Sequence, residues 1–188
     1  MAAPGVWNQI LTQLQSIGVK PEEVTHIFIS HYHPDHVTHL GLFQNATLVD
    51  LWATYKDDIW SNHPDNYELA PGIKVICTPG HTNEDASLLV ETAEGKYALT
   101  HLWWVPDFQP EKDPLAEDHH GIAKSRELML HQTDWIVRGH GVTFKNPHRK
   151  PSALTETQKD TLIKVVKLAS ANWVRFFNDG DAAGAAST

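Results

Sequence analysis

The chain has 188 residues, 41% of them hydrophobic, which suffices for one well-cored domain and leaves little for a second. Lys and Arg number 15 against 23 for Asp and Glu, and the net charge of −8 argues against a protein that grips nucleic acid along its phosphates. Cys77 is the single cysteine, so no disulfide framework forms within the chain, and no apolar run approaches the length of a membrane span. The start MAAPGVWNQI lacks the basic and apolar regions of a secretory signal, so a soluble cytoplasmic protein is expected.

Trp7, Ile10, Leu11, Leu14 and Ile17 recur at helical steps and predict an opening helix, closed by Gly18 with Pro21 soon after. Val24 to Ser30 reads as a buried strand around Ile27, Phe28 and Ile29. After a dense polar loop from His31 to His36 come a short helical stretch and a strand near Thr47 to Leu51. Residues 52 to 72 read as a long connection carrying Trp52, Tyr55, Trp60 and Tyr67. Strands are expected at Ile73 to Cys77, Ser87 to Glu91 and Tyr97 to Thr100, followed by a Pro-rich connection over 102 to 120. Ile122 to His131 reads as a helix and Trp135 to Val137 as a short buried strand. From Thr155 a helical pattern returns, with Leu162, Val166, Ala169 and Trp173 on one face. The domain is thus expected over 1–150, a C-terminal helix over 151–177 and a disordered tail over 178–188. Strands alternate with helices, which makes the fold class α/β.

Thirteen residues are histidine, and four of them fall between His31 and His39. In His31-Tyr32-His33-Pro34-Asp35-His36, residues two apart on an extended backbone face the same way. His31 and His33 would therefore grip one metal ion, and Pro34 turns the chain so that Asp35 and His36 face a second. Imidazole nitrogen and carboxylate oxygen suit a borderline-soft divalent ion such as zinc. Two more histidines follow strand ends beside glycine, His81 in Thr78-Pro79-Gly80-His81 and His140 in Arg138-Gly139-His140-Gly141. A lone loop histidine is usually solvated or structural; three such sites in one short chain are not explained that way. His26 reads as a core or supporting residue, and His39 as one able to orient a ligand. His63, His131 and His148 read as surface residues, and His119 and His120 as part of the connection that rims the cleft.

The order HxHxDH, TPGHT, GHG resembles the metallo-β-lactamase superfamily, over about Gly5 to Phe144. The opening helix, LGLF at Leu40 to Phe43, the short TPGH segment and KSREL…DWIVRGHGVTF resemble its metallo-β-lactamase domain-containing protein 1 subfamily. The resemblance implies a four-layer αββα sandwich with two metal ions at one edge, zinc being expected. It implies His31, His33 and His81 on one ion and Asp35, His36 and His140 on the other. The family's bridging carboxylate is replaced here by His101, after the strand Tyr97 to Leu99. A neutral imidazole has one free lone pair and cancels no charge. His101 would then bind one metal, hold the pair farther apart or stand behind the ligands, and Asp107 is a further carboxylate for the missing role.

Paired divalent ions lower the pKa of bound water and clamp the oxygens of a displacement, so the implied activity is hydrolysis by metal-bound hydroxide of an ester, lactone or phosphodiester. Asp35 would orient that group or take its proton. The alternatives are a metal-binding protein without turnover and an endoribonuclease, the activity associated with the resembled subfamily. The expected partner is thus a small-molecule or phosphodiester substrate, with RNA disfavoured by charge and no membrane. A secreted β-lactamase, a glyoxalase II-like enzyme and the larger nucleases are disfavoured by the absent signal, the short region after Lys150 and the length. The strands that in the family normally precede the helix near Trp7 are not in this sequence; either the true start lies upstream, or the sheet is reduced with an exposed edge, for which strand-edge association with a second copy or poor solubility is expected.

Overall fold

The computed structural model describes residues 4–103 and 113–148. The reading of a C-terminal helix and tail after residue 150, and of Asp107, falls outside the described residues. Helix α1 spans Pro4–Ser16. It buries Ile10 and Leu14, whereas Trp7 (43% exposed) and Leu11 (37%) face outward, so only half of the expected apolar stripe is used.

Among the described residues, ten strands form two sheets. The smaller contains β1 (His26–Phe28), β2 (Thr47–Val49), β3 (Ala53–Lys56) and β4 (Ile59–Asn62), in that order. The strand expected over Val24 to Ser30 is shorter and stands at the end of its sheet, with His26 exposed rather than in the core. Residues 52–72 are not a connection. They hold β3, β4 and β5 (Tyr67–Ala70), and β3 and β4 form a hairpin pairing Tyr55 with Trp60. Its turn uses Asp57 and Asp58 at φ 51° and 61°, a left-handed pair that Asp tolerates and that carries no glycine signal. Trp52 and Trp60 of this segment are 45% and 54% exposed.

The larger sheet runs β10-β9-β8-β7-β6-β5, with β6 at Ile73–Cys77, β7 at Ala86–Thr92, β8 at Gly95–Thr100, β9 at Trp135–Arg138 and β10 at Phe144–Lys145. Its strands alternate their side chains between two cores, as the pleat requires. Leu88 and Val90 of β7 pack with Val75, Tyr97 and Val137, and against Val49 of the smaller sheet and Leu51 in the turn after it. Leu89, between them in sequence, packs on the other side with Ile76, Ala98, Ile136 and Met129. Met129 belongs to helix α3, His119–Gln132, which begins three residues earlier than its apolar periodicity suggests because Asp118 caps it by accepting from His120 N. His119 and His120 therefore lie on the first turn of α3, not in the connection. No helix among the described residues is long and apolar enough to cross a membrane.

β7 is antiparallel to both β6 and β8, and β8 is parallel to β9. The chain therefore leaves β6, β8 and β9 at the same edge of the sheet. Those three exits carry His81, His101 and His140.

Candidate metal centre

Below the site, the strand ends are tied by buried hydroxyls. Thr78 Oγ1 lies 2.8 Å from Ser87 Oγ, which donates to Thr100 Oγ1 at 2.7 Å. This chain crosses β6, β7 and β8 and holds the exits toward His81 and His101 in register. The polar loop from His31 to His36 approaches from the smaller sheet. Ser30 O accepts from Ala86 N at 2.9 Å, which joins the end of that strand to β7. Pro34–Val37 forms one helical turn, α2, with Pro34 in its first turn. Tyr32 points the other way and donates to Asp50, whose second oxygen accepts from Trp52 N and Ala53 N at 2.8 Å. The motif is thereby anchored to the β2–β3 turn.

The seven residues singled out from the sequence converge on one cluster. Three trios place one donor atom per residue within 4.8 Å of one another: His31, His33 and His81; Asp35, His36 and His140; and His31, His36 and His101. Each trio takes two members from the His31–His36 segment and one from the larger sheet. His81 Nε2 lies 3.1 Å from His33 Nδ1, while Asp35 Oδ2 lies 3.3 Å from His36 Nε2 and 3.4 Å from His140 Nε2. Two ligands on one tetrahedral zinc, each at about 2.0–2.1 Å, stand roughly 3.3 Å apart, so these separations suit a shared ion. His31 Nε2 is buried with no hydrogen-bond partner among the described residues, an arrangement that costs free energy unless something is bound there. On these observations the donor set fits divalent metal.

Burial also prepares the ligands. Desolvation, reinforced by the neighbouring His36, His81 and His33, lowers the His31 pKa to about 2. Desolvation likewise lowers His36 to about 4 and His101 well below the ordinary histidine value. Metal ligands must be neutral imidazoles, and these rings stay neutral throughout the physiological range. Asp35 experiences opposed effects. Burial pushes its pKa up, but the hydrogen bond from His140 and the charges of His36 and His140 outweigh this and hold it below the usual carboxylate range. Its side chain is 56% exposed, facing the solvent from which a substrate would arrive.

Supporting residues were less visible in the sequence. Asp113 is buried and accepts from His81 Nδ1 at 2.8 Å, which directs the Nε2 lone pair of His81 into the cluster. It lies in the Pro-rich connection, outside any motif. Asp85 is buried and lies 4.0 Å from His31 Nδ1, and desolvation raises its pKa to about 6 despite bonds from Thr82. Two glycines admit close neighbours. A Cβ on Gly139 would stand 2.4 Å from Cδ2 of His101. Gly80, at φ +150°, would bring one to 2.3 Å from the backbone N of Ile122, where α3 packs on the TPGH loop. Asp118 N and Glu117 N donate to the carbonyls of Gly80 and His81, completing that clamp. His39 Nδ1 lies 3.2 Å from Thr38 Oγ1 and His39 is in none of the trios. His119 Nε2 bonds to Asp113 O at 2.9 Å and so steadies the segment that orients His81.

Residues 4–125 match the model of the metallo-β-lactamase superfamily. The chain belongs to that superfamily. It is 34% identical to metallo-β-lactamase domain-containing protein 1 of Xenopus laevis over 171 residues, covering 85% of this chain and 72% of that one. An N-acyl homoserine lactonase of Bacillus cereus is 33% identical over 157 residues, covering 72% of this chain and 63% of the relative. Among solved structures, a probable metal-dependent hydrolase from Staphylococcus aureus superposes with a TM-score of 0.59 at 18% identity, covering 78% of this chain and 68% of that one. That likeness supports the α/β metallo-β-lactamase fold. The chain spans less than two thirds of the lactonase's length.

Proposed function

We propose that this superfamily member is a metal-dependent hydrolase whose substrate is an ester or lactone. The observation that carries the reading is the convergence of seven donors on one sheet edge, six imidazoles and the exposed carboxylate of Asp35. In this reading His31, His33 and His81 hold one divalent ion, and Asp35, His36 and His140 a second, zinc being the simplest choice. Bound there, such ions supply Lewis acidity and a lowered pKa for water.

The chain's own residues do the rest. Asp35, kept ionised by His140 and His36, would turn Oδ2 to the ion, and its other carboxylate oxygen would orient the attacking water or take its proton. Asp113 fixes His81, and Tyr32 with Asp50 fixes the loop between His31 and His33. Similarity to the lactonase favours a cyclic ester, and the net charge of −8 weighs against a polyanionic phosphodiester such as RNA.

The test is elemental analysis of the purified chain together with hydrolysis of acyl lactones and aryl esters, before and after chelation. Bound zinc with chelator-sensitive turnover is the expected result. Bound metal without turnover on either class would favour a second reading, a metal-binding protein without catalysis, which the exchange of the bridging carboxylate for His101 supports. No bound metal would overturn both.

A further inference from the structure

The trio of His31, His36 and His101 lies between the two flanking trios and shares a member with each. Its rings are the closest set in the cluster. Centroids are 4.2 Å apart for His31 and His36, 4.4 Å for His31 and His101, and 4.8 Å for His36 and His101. In the trio of His31, His33 and His81 the corresponding separations are 4.6, 5.1 and 4.8 Å, and His36 and His140 are 5.5 Å apart. His31 and His101 are also the most buried of the donors together with His81, at 1%, 4% and 1% exposure.

The hydrogen-bonding of His31 decides how these positions relate. Its Nδ1 lies 3.0 Å from Ser30 Oγ, so Nε2 is the nitrogen that faces the cluster. A neutral imidazole nitrogen offers one lone pair. His31 therefore serves the central trio or the trio with His33 and His81, and His36 the central trio or the trio with Asp35 and His140, and neither ring serves two ions at once. Charge works in the same direction. Of the seven donors only Asp35 is anionic, so two divalent ions leave a net charge of +3 among the donors, where one leaves +1. Asp85 and Asp113 stand behind His31 and His81 and temper this difference without contributing a ligand atom.

We propose that His31, His36 and His101 form a third, all-histidine metal position, which holds the ion while only one is bound and releases His31 and His36 to the flanking trios when a second ion enters. The inference rests on the reading of the cluster as a metal centre. Three imidazoles around zinc leave a fourth, open position, the donor pattern of a mononuclear catalytic site. Gly139 is what makes room for the third of them, since any side chain there meets the His101 ring.

The test uses the double variant His33→Ala/His140→Ala, which breaks both flanking trios at half-buried residues and leaves the central one whole. It is expected to bind one zinc per chain with affinity within tenfold of the first site of the wild type. Adding His101→Ala should then weaken binding at least hundredfold. Loss of zinc from the double variant, or its retention by the triple variant, overturns the proposal. Circular dichroism reports whether each variant folds. A second measurement needs no variant: ring-15N spectra of the wild type with one equivalent of zinc should show the coordination shift at His101. A shift confined to His33, His81 and His140 overturns the central position. Wild-type protein that takes up no divalent ion at all would instead overturn the hydrolase reading. Wild type that loads while the double variant does not overturns only the central position.

Discussion

At Gly139 one methyl group separates a working cluster from a displaced one. Gly139→Ala puts a Cβ 2.4 Å from the His101 ring, which has no free volume to retreat into at 4% exposure. The expected outcome is a destabilisation of about 1–3 kcal/mol in urea unfolding together with altered zinc stoichiometry, from overpacking that moves a ligand. Unchanged stability and metal content would show that the ring moves freely. Asp113 would act on a bound ion only through His81, to which it is hydrogen-bonded. Asp113→Ala should lower zinc affinity about 10–100-fold, with Asp113→Asn intermediate because it keeps an acceptor for His81 Nδ1 but not the charge. A competition titration with a chromophoric chelator measures both, and equal affinity in all three proteins would remove Asp113 from the ligand-orienting role. The contrast between the two kinds of residue explains what was legible. His31, His33, Asp35 and His36 fall within six consecutive residues, and His81 and His140 each sit beside glycine, so local spacing announces them. Asp113 reaches His81 across 32 residues of chain with no motif of its own, and only the fold brings them together.

Among elements, the junction between the TPGH loop and α3 is the most tightly specified. Gly80 combines a left-handed backbone with a contact that would be 2.3 Å to backbone, where no rotamer change gives relief. Gly80→Ala is expected to destabilise by roughly 2–4 kcal/mol in denaturant unfolding, from overpacking and backbone strain together. A loss below about 0.5 kcal/mol would mean that α3 is not held against the loop. The strands β6, β7 and β8 were readable because each carries a short apolar run between turn signals. The hairpin of β3 and β4 was not, since its residues were read into one long connection and its turn places aspartates where Asn-Gly is the usual sign. β1 was overextended for a related reason. Ile27, Phe28 and Ile29 look like a strand buried on both faces, yet β1 ends its sheet and His26 is exposed.

For the whole molecule, the buried imidazoles impose a pH dependence on the metal-free chain. His31 and His36 titrate near 6.5 when unfolded but at about 2 and about 4 when folded, because burial disfavours their charged forms. As pH falls below 6.5 the unfolded chain binds protons that the folded chain does not, so the stability present above that pH is progressively lost. Each such imidazole contributes a slope of up to about 1.4 kcal/mol per pH unit. Asp85 opposes this, since its raised value of about 6 lets the folded chain bind a proton first, but it is one group against His31, His36 and His101. The urea midpoint of chelated protein should therefore fall steeply between pH 7 and 5, and a flat midpoint would contradict the burial of these rings as neutral groups. The α/β class and the sandwich were accessible from the alternation of strand and helix and from the superfamily resemblance. The depth of the histidine cluster was not, because burial is a property of both sheets together.

The straddling of the two sheets by every donor trio has a consequence beyond chemistry. An ion held there would add to the side-chain packing and the Ala86–Ser30 hydrogen bond that join two layers at that edge, so ion and fold are thermodynamically linked. At a free-ion concentration a thousandfold above the dissociation constant, the linkage amounts to about 4 kcal/mol. That is a substantial part of the margin by which a domain of this size stays folded. A chain deprived of its ion would open more often and be cleared faster, so the amount of protein present, and not only its turnover, would follow the supply of metal.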